Sequence, residues 1–399
     1  MNSPAISSAP ELEVSGGRVP SWSTLLLHLF LLLLWLCFST PTWGWELEIE
    51  KVIQDRMNEA EESSGLLKKE SRFVPVPIPV SNPNLGSGLA LAGLYLHSQK
   101  EVDEVSPTSI SAVLGMATSN GSWGVGVGHS GYYLKDKYRL SGGLAYGELN
   151  LKFYGIGQNS ILADHPVEYK AAAFAFAPTA LFRLPLKNWF LGTRYVFMHV
   201  ENSFDFSRLL PFLPEIRIPT QTAGLGLLAS CDSRNDTLWP TKGVWFELTI
   251  TDYDELFGGD FDYRKLRLKF SQYFPLTKTI TFAYRLDGQS IEGRPPFYDL
   301  SSLNVRGFPT GRFTDKSAAS AQVETRWNFT ERWTALVFGG GGRIARRLQD
   351  LDSSPTHYAG GVGLRYLVAK AQNLNVGVDI TYGAGEVNFY VQIADWFGR

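Results

Sequence analysis

Between Gly88 and Phe397 hydrophobic and polar positions alternate with a period of two, and no window longer than one turn carries the 3.6-residue period of a helix. Over 373–382, Leu374, Val376, Val378, Ile380 and Tyr382 fall on one face, against Asn373, Asn375, Asp379 and Thr381 on the other. The same split recurs at 244–251, 280–287, 321–328 and 387–394. Soluble sandwiches also alternate, so the choice rests on three further features. The segments run about ten residues, the length a tilted strand needs to cross a bilayer core. Short connections alternate with long ones at 201–219, 290–316 and 346–356. Aromatics crowd the strand ends (Tyr132, Tyr133, Trp189, Trp239, Trp333, Trp396), where an interfacial girdle would lie.

The pattern therefore predicts an all-β, antiparallel transmembrane barrel over 86–397. Fifteen segments can be picked out, beginning with 88–97 and 109–118 and ending with 387–397. A single-chain barrel with both ends on one side has an even number of strands. Sixteen is favoured, with one segment mis-split; fourteen is the alternative.

Upstream, Leu25–Phe38 is almost unbroken hydrophobic side chain, followed by Thr42 and Gly44 as small residues suited to a signal-peptidase site. Residues 1–44 read as a cleaved leader rather than an anchoring helix, which takes roughly 20 apolar residues. Residues 45–85 read as a periplasmic tether. Its charged first part is too short for a folded domain. Its second part, Phe73-Val74-Pro75-Val76-Pro77-Ile78-Pro79-Val80, is extended because each residue before a proline is driven to the β/PPII region.

Composition narrows the function. Charged residues make up only 19% of the chain and the formal net charge is −2, which removes nucleic acid as a partner. The two cysteines are Cys37, inside the leader, and Cys231, so no intrachain disulfide survives processing. The histidines and carboxylates show no metal-ligand spacing, and His129-Ser130 lacks the strand-to-helix setting of a nucleophile elbow. The glycine runs (Gly124, Gly126, Gly128; Gly339 to Gly342; Gly360, Gly361, Gly363) sit at strand or turn positions and open no helix, so they cradle no phosphate. Their reading is structural: they let a strand bend or let an inserted loop come close to the wall. No enzyme activity, metal or cofactor is expected. The inward charges, among them Glu247, Lys269, Arg285, Asp287, Arg326, Arg365 and Asp379, read as a paired, solvated lining.

Val305-Arg306-Gly307-Phe308, followed by Gly311-Arg312-Phe313, resembles the signature loop of the BamA/TamA outer-membrane superfamily, also known as bacterial surface antigens. Asp232-Ser233-Arg234 through Pro240 and Gly243 resembles the family's D-x-R…P-x-x-G turn, and Gln322-Val323-Glu324-Thr325-Arg326 the strand after the loop. The resemblance implies a bacterial outer-membrane barrel whose loop 290–316 folds into the lumen, with Arg306 meeting Glu324. It further implies assistance in inserting or translocating outer-membrane components, with membrane lipid and unfolded outer-membrane proteins or other envelope components as partners. A passive pore or structural barrel is the alternative. Two departures stand out. The next strand reads Phe338-Gly339-Gly340, so the family's second acidic partner is missing there, and there is no room before Gly88 for the family's POTRA domains. The lateral seam is expected between a glycine-weakened first strand (Gly88, Gly93) and a strongly β-forming last strand (Phe389, Phe397).

Overall fold

The structure, a computed structural model, describes residues 72–82, 85–97, 106, 109–204, 216–370 and 373–397. The expected leader 1–44 and tether residues 45–71 lie outside them. We number the strands β1 (Arg72–Asn82), β2 (Gly86–Leu96), β3 (Ile110–Thr118), β4 (Trp123–Tyr133) and β5 (Tyr138–Phe153). Strand β6 is Val167–Phe176 continued by Thr179–Arg183, and β7 (Trp189–Phe204), β8 (Ile216–Asp232), β9 (Gly243–Tyr253), β10 (Tyr263–Pro275) and β11 (Ile280–Gly293) follow. The last five are β12 (Ser317–Asn328), β13 (Trp333–Ala345), β14 (His357–Ala369), β15 (Leu374–Gly383) and β16 (Glu386–Ile393). Every consecutive pair forms an antiparallel ladder, and both parts of β6 pair with β5 and β7, so the interruption at Ala177-Pro178 divides one strand. With the remaining ladders from β9 to β16, sixteen strands make the barrel.

The sixteenth strand is β1, not a mis-split segment. The stretch expected to be the end of a tether pairs along its whole length with β2, from Arg72 opposite Leu96 to Asn82 opposite Gly86. The chain therefore enters the barrel at Arg72 rather than at residue 86. The physical reason lies in its prolines. Pro75, Pro77 and Pro79 alternate, so their backbone nitrogens all face one edge, and none carries an N–H. That edge cannot face β2 without breaking the ladder; it must face away, as proline in a sheet requires.

What lies on that side is β16, which runs beside β1 and closes the barrel. Among the described residues no backbone ladder is recorded between them, whereas each is fully paired on its other side. The seam thus falls between β1 and β16. Gly88 and Gly93 lie on β2, which has ladders on both sides, so they are not seam residues as expected. With sixteen antiparallel strands, the start of β1 and the end of β16 share one rim, here called the terminal rim.

The two faces of the wall follow the two-residue period. Val323, Val337, Val362, Val378 and Ile380 are exposed outward. Their neighbours in sequence point inward, where loop 294–316 fills one side of the lumen. Leu303, Val305 and Phe308 of the loop pack on Ala318, Ile344 and Ala359 of the wall, with Phe313 alongside. Gly342 makes room for this: a Cβ there would lie 2.7 Å from Leu303 Cδ2, so here the glycine run does admit the loop.

Candidate functional site

The loop tip brings together all five residues expected there. Arg306 donates its backbone N–H to Gln322 Oε1 at 3.0 Å, while Gln322 Nε2 returns a hydrogen bond to Asn304 O at 2.8 Å. The Arg306 guanidinium is 1% exposed, pairs with Glu324 and reaches Asp379 Oδ2 at 3.4 Å. Its face lies 3.8 Å from the centre of the Phe338 ring. Glu324 is shared: Arg326 Nε donates to its other oxygen at 2.6 Å. Arg365 grips Asp379 bidentately at 2.7 and 2.9 Å.

These contacts answer the missing acid of β13. Phe338 occupies that strand and supplies a ring face, and the second carboxylate comes from Asp379 on β15. The expectation of a solvated charged lining is also corrected. Arg285, Arg306, Arg326 and Arg365 are each 1% exposed, Glu324 2% and Asp379 0%. Charges this deep need hydrogen-bonded partners to offset desolvation, and here the paired geometry provides them.

Gly307 sits at φ +116, in the half of conformational space that favours glycine, and a Cβ would lie 2.9 Å from Ala359 Cβ. Its carbonyl accepts from Asn388 Nδ2 at 3.3 Å, and the Phe308 carbonyl accepts from Tyr390 Oη at 3.3 Å, so the tip also touches β16. We expect Gly307→Ala to lower barrel stability by about 1–3 kcal/mol, the scale of overpacking combined with backbone strain, read as a shifted urea midpoint of the folded barrel.

Two further pieces converge on the cluster. In the turn 233–242, Arg234 is held by Asp232 at 2.8 and 2.7 Å and Asp236 caps the N–H groups of Leu238 and Trp239 at 2.7 and 2.8 Å. Burial, the largest single influence, would lower the Arg234 pKa, but the hydrogen bond to Asp232 together with the negative charge of Asp232 and the nearby Tyr273 and Asp395 outweighs it, and the value ends raised. The Pro240 carbonyl accepts from Arg326 at 3.0 Å, and the Trp239 ring lies 4.1 Å from the Arg326 guanidinium. The second piece is the chain end. After Ile393 the backbone turns through Ala394 (φ +60) and leaves the wall. Asp395 pairs with Arg326 and accepts from Tyr273 Oη; its own N–H donates to Leu238 O at 2.8 Å. Phe397, expected on the last strand, is fully buried in the lumen, its carbonyl accepting from Ser271 Oγ at 3.0 Å and Arg285 at 3.3 Å. Arg326 thus joins the loop, through Glu324, to the tail, through Asp395.

Residues 115–371 match the Omp85 superfamily domain. The chain belongs to the Omp85 superfamily. Among solved structures, this Omp85 barrel is similar to BamA from Haemophilus ducreyi lacking POTRA domains 1–3, with a TM-score of 0.54 at 13% identity over 86% of this chain and 78% of that one. CdiB from Escherichia coli gives 0.55 at 12% identity, over 86% and 69%. CdiB from Acinetobacter baumannii gives 0.51 at 12%, over 82% of this chain and 59% of that one. No curated protein matches the chain. The fold is that of an outer-membrane β-barrel.

Of the expected seam residues in this Omp85 barrel, only Phe389 is at the seam, on the outward face of β16 and 61% exposed. Asp379, Arg326 and Asp395 were not anticipated as members of the loop's network. The signal was available in part: an aspartate inside the otherwise apolar, aromatic run Ile393 to Phe397 is out of place on a lipid-facing strand end and needs a buried partner.

Proposed function

We propose that the protein sits in the bacterial outer membrane, exported by the leader 1–44, and assists insertion or translocation of outer-membrane components through the β1–β16 seam. The observation that carries this reading is the contrast between that seam and the rest of the wall. Fifteen neighbouring pairs are laddered, while the last strand stops at Ile393 and hands its end to a network shared with the loop. A wall yields first where backbone pairing is absent. Membrane lipid and unfolded outer-membrane proteins or other envelope components are the partners of this reading, without catalysis or a cofactor. A passive pore or structural barrel is the rival. The loop, the turn 233–242 and the tail packed into one side of the lumen speak against a simple open pore.

Depletion followed by an outer-membrane proteome and lipid analysis tests the proposal. We expect selective loss of a subset of outer-membrane components. An unchanged outer membrane together with steady ion conductance of the purified barrel in planar bilayers would install the passive barrel instead.

A further inference from the structure

The lumen has two unlike sides. Opposite the charged network, directly paired residues on the inner face of β2 to β7 form the row Ala92, Leu114, Gly126, Ala145, Ala175 and Met198. The row is one residue out of phase with Leu91, Val125 and Tyr146, which are exposed outward. Leu114 remains 43% exposed on this inner side. The three nearest atoms to a Cβ built at Gly126 all belong to the neighbouring strand β5, with Leu144 O at 3.3 Å and Ala145 Cβ at 3.4 Å, and none of these three comes from the inserted loop. At this row the strands are therefore apolar on both faces, and the inner face is a glycine- and alanine-floored trough. Towards the far rim the trough ends at Phe153 and Tyr169, on which Phe297 of the loop rests at 5.1 and 5.5 Å.

Towards the terminal rim the chemistry changes within two rows. Ser130, Ser141, Thr179 and Arg194 lie side by side on the same inner face. Arg194 Nε donates to Thr179 Oγ1 at 3.0 Å, and among the described residues no ion pair to a carboxylate is recorded for Arg194. An apolar trough ending in hydroxyls and a guanidinium matches one kind of molecule, an amphiphile with an anionic head.

We infer that this trough holds a membrane phospholipid, its phosphate on Arg194, Ser141 and Thr179 and an acyl chain along Leu114 and Gly126. The seam supplies the route, because β2 and β3 follow directly on β1 and the outer face there is already bathed in lipid. Two arguments favour lipid over an apolar polypeptide. An extended peptide in the trough would need partners for its own N–H and C=O groups, and the trough offers only hydrocarbon and backbone already used in ladders. An incoming strand would also pair incompletely along β1, whose free edge offers carbonyls but no N–H groups at Pro75, Pro77 and Pro79. Acyl chains have no such requirement. The inference names a substrate class for the seam and rests on the preceding reading for the route alone; occupancy can be measured without any assembly assay.

The test uses the full chain in phosphatidylethanolamine/phosphatidylglycerol vesicles doped with a phosphatidylglycerol carrying a diazirine in its acyl chain. After photolysis, adducts are mapped by mass spectrometry. Adducts are expected on inward Leu114 and Met116 as well as on outward Leu91 and Val125. Arg194→Gln should cut the inward yield about tenfold, the worth of one charge-assisted hydrogen bond, and leave the outward yield unchanged. Gly126→Trp should abolish the inward adducts; Arg194→Gln decides the matter if that variant does not fold. Adducts confined to outward positions would overturn the inference. So would an inward yield indifferent to Arg194→Gln, labelling by a diazirine fatty acid but not by the phospholipid, or displacement by a photo-leucine peptide that itself labels Met116.

Discussion

Arg306→Ala is expected to lower the stability of the folded barrel by about 3–5 kcal/mol, the scale for removing one partner of a buried ion pair. The cluster holds Arg306, Arg326 and Arg365 against Glu324, Asp379 and Asp395, balanced in sign and almost wholly excluded from water. Losing Arg306 leaves one uncompensated negative charge shared by Glu324 and Asp379, and it strips Phe338 of the cation over its ring. Glu324→Gln alone leaves the opposite imbalance. The double variant restores neutrality, with Arg326 still on Asp395 and Arg365 still on Asp379. The two changes should therefore be strongly non-additive, by about 0.5–3 kcal/mol in a double-mutant cycle. Arg306→Lys should recover little, since an ammonium cannot span two carboxylates and stack on Phe338 together. Urea midpoints in detergent micelles read all four species. Additive losses, or an unmoved midpoint for Arg306→Ala, would show that the loop is not held by this network.

Most of the wall could be read from alternation, because lipid on one face and a polar lumen on the other force a two-residue period that no helix shares. The reading failed where that contrast vanished. In β1 the polar positions are prolines, so the segment looked like a polyproline tether; the alternation was in the backbone donors. Through the middle of β2 to β6 both faces are apolar, and Gly88 and Gly93 passed for a weak first strand although their ladders are complete. The loop residues Val305 to Phe308 and their partner Glu324 were legible through a local motif. Asp379 and Asp395 were not. They lie 73 residues from Arg306 and 69 from Arg326 along the chain, and only the closure of the barrel brings them there. Phe397 illustrates the same limit: its composition suits a lipid-facing strand end, yet Asp395, two residues before it, cannot lie in lipid, and turning Asp395 to Arg326 carries Phe397 inside.

A disulfide between β1 and β16 should abolish activity while leaving the barrel folded, and this is the sharpest test of the proposed role. Among the described residues the seam is the one place where neighbouring strands share no backbone ladder, and the cause is covalent: three alternate residues of β1 lack donors, so no relaxation of side chains can restore full pairing. Opening there breaks few hydrogen bonds; opening at β2–β3 would break a ladder running from Gly88–Thr118 to Leu96–Ile110. One cysteine scanned along β1 and one along β16, with Cα atoms about 5.5–6 Å apart, can be joined without strain, in a Cys231→Ser background. The control is Leu91→Cys with Gly115→Cys, opposed residues of the laddered β2–β3 pair, whose cross-link should be silent because those strands need not part. The seam-locked form should fail to complement a deletion strain and recover on reduction, and its inward lipid adducts should fall with it. If the oxidised protein complements as well as the reduced one while the control behaves identically, passage through the seam is wrong and the passive barrel takes its place. If it fails to complement yet keeps its inward adducts, lipid reaches the trough by the open rim, and the seam serves something other than lipid entry.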